Sequence, residues 1–399
     1  MIGVLAGICA VLTCVGLVQA LVGSRLVASF AARTKKAPSR RPPVTVLKPL
    51  YGDEPALEAA LATFCRQCYP DFQIVFGVQD QADSAVGVVA RLRVRFPDRD
   101  ITLVVDPTRH GSNLKVGNLI NMFPTARHDI LVIADSDVHV GPDYLERLIE
   151  ALARPGVGLV TTLYRGFPVL PNLTAALGAM QITQGFLPGA LLSRAMGRRD
   201  CLGATMCLRR DDLIRIGGLH ALVNHLADDN VLGQRIGSLG LDVVLADTVP
   251  LTSVPEVRLG ALFRHELRWA RTIRTLEPIG YPISVLQYPL FWALLAMLLA
   301  GSVWSLALFC LAWLLRALVA LRIDSALAGR RGLYDTPALA FSCPVWLLPV
   351  RDVLSLAVLV ASYGGRRVDW RGHDLLADTP PPVAQSTLSV RPIEEVDTR

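Results

Sequence analysis

The 399-residue sequence shows no disulfide framework, no zinc pattern and no nucleotide-binding glycine loop, and each absence removes a class of protein. The eight cysteines are scattered, and Cys9, Cys14, Cys310 and Cys343 lie inside apolar runs, where cysteine behaves as a small hydrophobe. Cys65 and Cys68 form one C-x-x-C, the spacing of a redox pair or half a zinc site. No second Cys/His pair with zinc spacing follows, so both are read as helix positions. No G-x-G-x-x-G or Walker-type loop follows the first strand-like run, which argues against dinucleotide-binding and P-loop enzymes. Charge is also scarce: 19% of residues are charged, most of them between 33 and 274, against a hydrophobic fraction of 52%. The net charge of +6 is modest, and its clusters (Arg33, Lys35, Lys36, Arg40, Arg41; Arg366, Arg367, Arg371) flank apolar runs. That placement fits the cytoplasmic flanks of membrane segments and not a nucleic-acid surface.

Residues 1–24 carry no charged side chain and suffice to cross the ~30 Å hydrocarbon core as one helix. A cleaved signal peptide is the competing reading. The basic cluster, however, follows the apolar run instead of preceding it, which fits an uncleaved anchor with the chain from Arg25 onward in the cytoplasm. The uncharged run 278–315 is too long for one span and divides near Gly301 and Ser302 into a hairpin, with the loop at Arg330 and Arg331 returning to the cytoplasm. A further stretch, 337–364, contains Pro344, Pro349, Arg351 and Asp352, which disfavours a clean span and suggests a re-entrant pair. The C-terminal membrane region is therefore set at 278–364. The uncharged segment 166–193, interrupted by Pro168, Pro171 and Pro188, is either an interfacial element on the membrane or a buried core helix. The Pro-rich tail 379–399 has too little apolar content to pack.

Between these ends, short β-branched runs alternate with helical periodicity, the pattern of an α/β domain (41–275) built on a parallel sheet. Strands are expected at 44–48, 73–78, 101–105 and 130–134, with helices at 55–68, 84–96, 113–122 and 142–152. Ligands bind at the carboxyl ends of such strands. Carboxylates collect there: Asp80 and Asp83 after the second strand, Asp135 and Asp137 after the fourth. An Asp-Ser-Asp leaving a sheet offers hard oxygen ligands to Mg²⁺ or Mn²⁺, which share their coordination with substrate phosphates. Asp228 and Asp229 open a further helical stretch, where one carboxylate reads equally well as an N-terminal cap.

The ordered set Leu47-Lys48-Pro49-Leu50, Tyr69-Pro70, Val78-Gln79-Asp80 with Asp83, Asn113-Leu114-Lys115-Val116-Gly117-Asn118-Leu119, Asp135-Ser136-Asp137, Gly203-Ala204-Thr205-Met206-Cys207, Ala227-Asp228-Asp229-Asn230 and Arg268-Trp269 resembles the ceramide-glucosyltransferase-like branch of family-2-type glycosyltransferases. The wording is especially similar to that of the bacterial hopanoid-associated members. The resemblance implies a GT-A fold with transmembrane helices at both ends, a UDP-sugar donor, an inverting mechanism and a membrane lipid acceptor. It also implies a multi-pass protein of a bacterial inner membrane, its catalytic domain on the cytoplasmic side. Carried over by residue, Asp80 contacts the nucleoside end of the donor, Asp135 the ribose, and Asp137 with Asp135 the metal-bound diphosphate; Asp83, Lys115 and Asn118 are donor-side residues.

Asp229 resembles the base that deprotonates the acceptor hydroxyl, with Asp228 supporting it or replacing it. The family's Gln/Arg-x-x-Arg-Trp element reads His265-Glu266-Leu267-Arg268-Trp269 here, so Arg268 and Trp269 match and His265 departs. Arg268 suits diphosphate in the guanidinium fork, Trp269 a wall of the acceptor pocket, and His265 a phosphate contact. An amphipathic helix lying on the membrane explains the same arginines. A processive polysaccharide synthase, a polyprenyl-phosphate glycosyltransferase and a catalytically silent nucleotide-binding scaffold are the alternatives. Glucose on ceramide and N-acetylglucosamine on a hopanoid polyol are the transfers the resemblance suggests, and the motif wording leans to the hopanoid.

Overall fold

The computed structural model describes residues 1–33, 38–52, 54–328, 341–365, 367–370 and 373–376. The basic positions Lys35, Lys36, Arg330, Arg331, Arg366 and Arg371 and the tail 379–399 lie outside the described residues, as does the beginning of 337–364.

The expected strands form as β1 (Val44–Pro49), β2 (Phe72–Val78), β3 (Asp100–Val105) and β4 (Ile130–Ala134), all parallel to one another. The helices between them are α2 (Leu57–Cys65), α3 (Ala85–Arg95) and α4 (Leu114–Met122). Helix α2 stops at Cys65, short of the expected end, and Cys68 lies beyond it with its N–H bonded to Pro142 O. Alternation along each strand sorts side chains between two cores. Val44, Val46, Ile74, Phe76 and Val78 enter one, while Leu47, Val75, Leu131 and Ile133 enter the other.

The chain continues through β5 (Val138–His139), α5 (Tyr144–Leu152), β6 (Val157–Thr161) and β7 (Arg165–Pro168), then α6 (Leu173–Met180) and a π-helical segment, Gln181–Phe186. Next come α7 (Leu187–Ala195), β8 (Thr205–Arg209), α8 (Arg210–Arg215), α9 (Asp228–Ser238), β9 (Asp242–Leu245), β10 (Leu251–Val254) and α10 (Leu259–Leu276). The main sheet has seven strands in the order β3-β2-β1-β4-β8-β6-β9, with β8 antiparallel to both neighbours. A second sheet, β5-β10-β7, stands beside it.

Three apolar helices are long enough to cross a membrane: α1 (Ile2–Ala31), α12 (Val303–Ala328), and Val345–Ser362, whose main part is α13 (Leu348–Ser362). Their exposed Val11, Val18, Leu311, Leu314 and Val360 leave apolar faces open, which marks the protein as membrane-associated. Helix α1 runs past the expected end at residue 24 and packs against α7, α11 (Pro289–Ala300) and α12. At Gly16 any Cβ would stand 2.5 Å from Leu286 O, so close approach requires glycine there.

Two expectations about the C-terminal region need correction. The hairpin does turn at Gly301, in the left-handed region at φ 55°, but its first arm is broken. The 3₁₀ turn Tyr281–Gln287 meets α11 at 70°, where Pro289 has no N–H to continue a helical ladder. Within 341–365 there is one continuous helical stretch, Val345–Ser362, and not a re-entrant pair. The charges that argued against a span are paired inside the protein. Arg351 forks onto Glu266 of α10 through two 2.7 Å hydrogen bonds, and Asp352 accepts from the Leu290 N–H at 2.9 Å.

Removing one partner from such a pair leaves a buried, uncompensated charge, at a cost of roughly 3–5 kcal/mol. Arg351→Met is expected to lower the thermal midpoint strongly in detergent, and the double change with Glu266→Met to recover most of it. A single variant as stable as the parent would show that the pair contributes nothing.

The segment 166–193 is covered on several sides. Ala175, Ala179 and Leu187 are fully buried, Gly166 is seated so tightly that a Cβ would be 2.4 Å from Ala179 Cα, and α7 packs on α1. Leu170 and Leu173 remain exposed. The segment joins the sheet domain to the apolar helices.

Candidate active site

The chain leaves β4 as Asp135-Ser136-Asp137 and at once enters β5, which pairs with β10. That pairing fixes Asp137: Thr252 Oγ1 donates to its carboxylate at 2.6 Å, and the Ser253 N–H donates to its main-chain oxygen at 3.1 Å. Asp135 is held by two lysines. Lys115, in the first turn of α4, lies 2.8 Å from its carboxylate, and Lys48 donates to its carbonyl oxygen at 2.6 Å. Lys115 also reaches Asp228 at 3.6 Å. Burial alone would lower the Lys115 ammonium, but Asp135 and Asp228 overcome it and raise it, so this lysine stays charged.

Asn113 places Lys115. It caps α4 by accepting from the Val116 N–H at 3.1 Å, and its amide donates to His225 O at 2.8 Å and to Asp228 at 3.4 Å. Asp228 and Asp229 are the first two residues of α9, but the position before the helix is Ala227 and no side chain caps it. Neither aspartate stands at the capping position, and Asp229 accepts from the first-turn Asn230 N–H at 2.8 Å. Asp229 rests on Gly203, where a Cβ would stand 2.9 Å from Asp229 Oδ2. Burial, and then the adjacent Asp228, push the Asp229 carboxyl up to about 7, against the pull of Lys115.

Tyr164 borders the same acids. Burial raises its hydroxyl, and the charges of Asp229, Asp135 and Asp137 raise it further. Its ring stacks on Phe186 at 4.8 Å. Asp135, Asp137, Asp228 and Asp229 thus face Lys48 and Lys115, a surplus of negative charge. Asp137 is held above the usual carboxylate range by burial and by Asp135, and Lys48 is lowered to about 7 by burial despite Asp137 and Asp135.

This charge balance suits a divalent cation with Asp137 and Asp135 as its protein ligands. Among the described residues no three His, Cys, Asp or Glu side chains form a ready cage, so a cation here would complete its shell with water or substrate oxygens.

The remaining expected residues divide. Asp80 closes the turn after β2, accepting from the Ala82 N–H at 2.9 Å. Asp83 braces the loop after β1, accepting from the Gly52 N–H at 2.9 Å and the Ala85 N–H at 2.8 Å. Asn118 is buried and donates to Gly77 O at 2.8 Å, tying α4 to β2. His265 binds Glu256 through Nδ1 at 2.5 Å and meets Trp269 edge-on at 4.6 Å. That bond holds Glu256 below its ordinary value in spite of burial, and Arg268 acts in the same direction. Trp269 packs with Tyr164, Phe186, Ala175 and Ile182, beside the acids.

Sequence reasoning missed Lys48, Thr252, Tyr164 and Asn113 as individual site residues. Lys48 did leave a signal: it shares the inward register of Val44 and Val46, and a lysine on that face needs carboxylates nearby. Thr252 and Tyr164 carry none, because only tertiary pairing brings them in.

A mixed sheet with carboxylates at its carboxyl edge, joined to apolar helices before and after it in sequence, defines a membrane-associated protein of GT-A fold. The mannosyltransferase PcManGT from Pyrobaculum calidifontis, solved in complex with GDP-Man and Mn²⁺, is similar in fold, with a TM-score of 0.53 and 21% identity over 90% of this chain and 99% of that one. The model of glycosyl transferase family 21 matches residues 8–380, and the chain belongs to that family. It is 32% identical over 126 residues to ceramide glucosyltransferase of Komagataella phaffii, covering 31% of this chain and 25% of that protein. It is 22% identical over 252 residues to ceramide glucosyltransferase 1 of Caenorhabditis elegans, covering 62% of this chain and 53% of that protein. The matched part thus spans between a quarter and about half of these relatives' own length.

Proposed function

We propose that the protein transfers a sugar from a UDP-sugar to a hydroxyl of a neutral membrane lipid, with inversion at the anomeric carbon. The observation that carries the reading is Asp229, a carboxyl held near neutrality and set beside the Asp135–Asp137 edge. Asp229 takes the proton of the acceptor hydroxyl as its oxygen bonds to the anomeric carbon, and the bond from that carbon to the diphosphate breaks on the opposite face. A bound Mg²⁺ or Mn²⁺ would neutralise charge on the departing diphosphate. Asp137 and Asp135 would hold that ion, and Lys115, 2.8 Å from the Asp135 carboxylate, holds Asp135 in place. Asp80 meets the nucleoside end, Arg268 the diphosphate, and Trp269 walls the acceptor pocket. Asp83, Asn118 and His265 act by bracing these residues.

The relatives favour ceramide as the first acceptor to try and glucose as the sugar; a hopanoid polyol with N-acetylglucosamine rests on motif wording alone. Purified full chain is expected to release UDP from UDP-glucose only with ceramide and a divalent ion both present. Release with UDP-N-acetylglucosamine and a hopanoid polyol instead would move the acceptor. No release with any of these pairs would sink the reading.

The sheet domain is assigned to the cytoplasmic face of a bacterial inner membrane, where nucleotide sugars are made. Val94 is 83% exposed on α3, so a cysteine there, with Cys14, Cys68 and Cys310 replaced by serine, reports the side. Labelling by an impermeant thiol reagent is expected only after the membrane is opened. Labelling of intact cells would reverse the orientation.

A further inference from the structure

A cavity outside the acid cluster lies where α1, the π-helical segment, α7, α12 and α13 meet, with about 670 Å³ of empty space including its mouth. Its wall is rich in amides: Gln19, Gln181, Gln184 and Gln287 all line it. Gln184 and Arg316 are each 5% exposed, yet Gln184 Oε1 and Arg316 Nε have no hydrogen-bond partner. Buried polar atoms left unpaired among apolar helices are costly, and a site that keeps them is one that a hydrogen-bonding ligand completes.

The charges of the wall decide what kind of ligand. Arg351 is taken up by Glu266, and Arg316 shares the cavity with Asp352, on which its charge acts. Gln184 in turn donates to Asp324 at 3.0 Å. The two guanidinium groups are matched by Glu266, Asp324 and Asp352, which leaves no surplus positive charge for a lipid phosphate. The cavity also communicates with the acids through one element. The six residues Gln181–Phe186 place Gln181 and Gln184 in its wall and Phe186 on Tyr164, whose hydroxyl feels the charge of Asp229. π-helical turns of this kind concentrate at functional sites.

We propose that this cavity binds the amide- and hydroxyl-bearing linkage region of a neutral acceptor lipid, and rejects polyprenyl phosphates. The word acceptor rests on the transferase reading above; the binding itself does not. Gly189 lines the cavity, and a Cβ there would meet only the Gln287 side-chain Oε1, at 3.6 Å, so Gly189→Leu starts from a position open to a side chain and takes up cavity space.

The test uses the full chain in nanodiscs, without sugar nucleotide, and a ceramide carrying a diazirine near its amide and a terminal alkyne. Crosslinks that excess ceramide removes and excess polyprenyl phosphate leaves are expected on 181–192 and on the cavity faces of α1 and α12. Gly189→Leu should reduce them by about tenfold, the loss of roughly one decade of affinity. Gln19→Leu, a milder change at the mouth, should reduce them severalfold and carries the test if Gly189→Leu does not fold. Competable crosslinks mapping elsewhere, undiminished labelling in the folded variants, or equal competition by polyprenyl phosphate would each overturn the assignment. A protein that labels as expected but never releases UDP keeps the cavity and loses the transferase reading; one that turns over without competable labelling does the reverse.

Discussion

Asp229→Asn is expected to lose sugar transfer by at least about a hundredfold, the lower range for removing a general base, while becoming more stable at neutral and alkaline pH. The two effects have one cause. In the folded protein the Asp229 carboxyl holds its proton up to about 7, whereas the unfolded chain releases it near 3.8. Between those values the folded state binds more protons, so this residue makes stability fall as pH rises through that window. Asparagine removes the dependence. The variant should therefore unfold at a higher temperature than the parent at pH 8, by on the order of 1–2 kcal/mol of added stability for this enclosed but partly exposed group, and at the same temperature near pH 4. The parent should also show a rise of kcat/KM with an apparent pKa near 7 that reports the free enzyme's base. Asp228 is already matched by Lys115 and Asn113, so Asp228→Asn should disturb Lys115 and weaken transfer less. If Asp228→Asn is inactive and Asp229→Asn transfers normally, the base is the neighbour; if both transfer normally, the catalytic proposal fails.

Asp137→Asn is expected to abolish metal-dependent transfer with the protein still inserted and folded. The amide oxygen of asparagine can still accept from Thr252 Oγ1, so the β5–β10 corner keeps its bond, but the anionic ligand is gone. Loss of electrostatic stabilisation at a departing diphosphate is worth about 10²–10³ in kcat. The check is Mn²⁺ binding in the presence of UDP, followed by calorimetry beside turnover: both should fall together. Thr252→Val, which only loosens the carboxylate, should retain Mn²⁺ binding and lose no more than about one decade of rate. A folded Asp137→Asn with near-normal, metal-dependent turnover would remove Asp137 from the metal site.

The parts of the fold that were legible in the sequence are those where a local pattern coincides with a global one. Strands β1, β2 and β4 carry apolar runs because both of their faces are buried, β3 carries one as the half-buried edge strand, and the acids that follow β2 and β4 stand at the edge where such sheets bind ligands. Strands β6, β8 and β9 are four or five residues long, β9 begins on the exposed Asp242, and β8 runs against its neighbours, which no run of apolar residues reveals. The misreading of 337–364 has the same root. Arg351 and Asp352 look hostile to a membrane span until Glu266 and the Leu290 N–H are brought to them, and those partners are remote in sequence. Lys115 shows the opposite case. It was picked out from its motif frame, yet its bridging of Asp135 to Asp228 follows from the capping geometry at Asn113, which joins α4 to the start of α9.

The packing of the first helix also bears on how the protein is made. Helix α1 finds its chief partners in α11 and α12, which lie beyond the whole sheet domain in sequence. At ~5–20 residues per second a ribosome needs about 10–50 s to pass from Ala31 to Pro289. During that interval the first helix has left the ribosome without α11 and α12, while the sheet domain, with α7, folds beside it. Assembly of this protein therefore closes last at its membrane side, and a chain shortened before α11 would leave the first helix without its two chief partners for quality control to find.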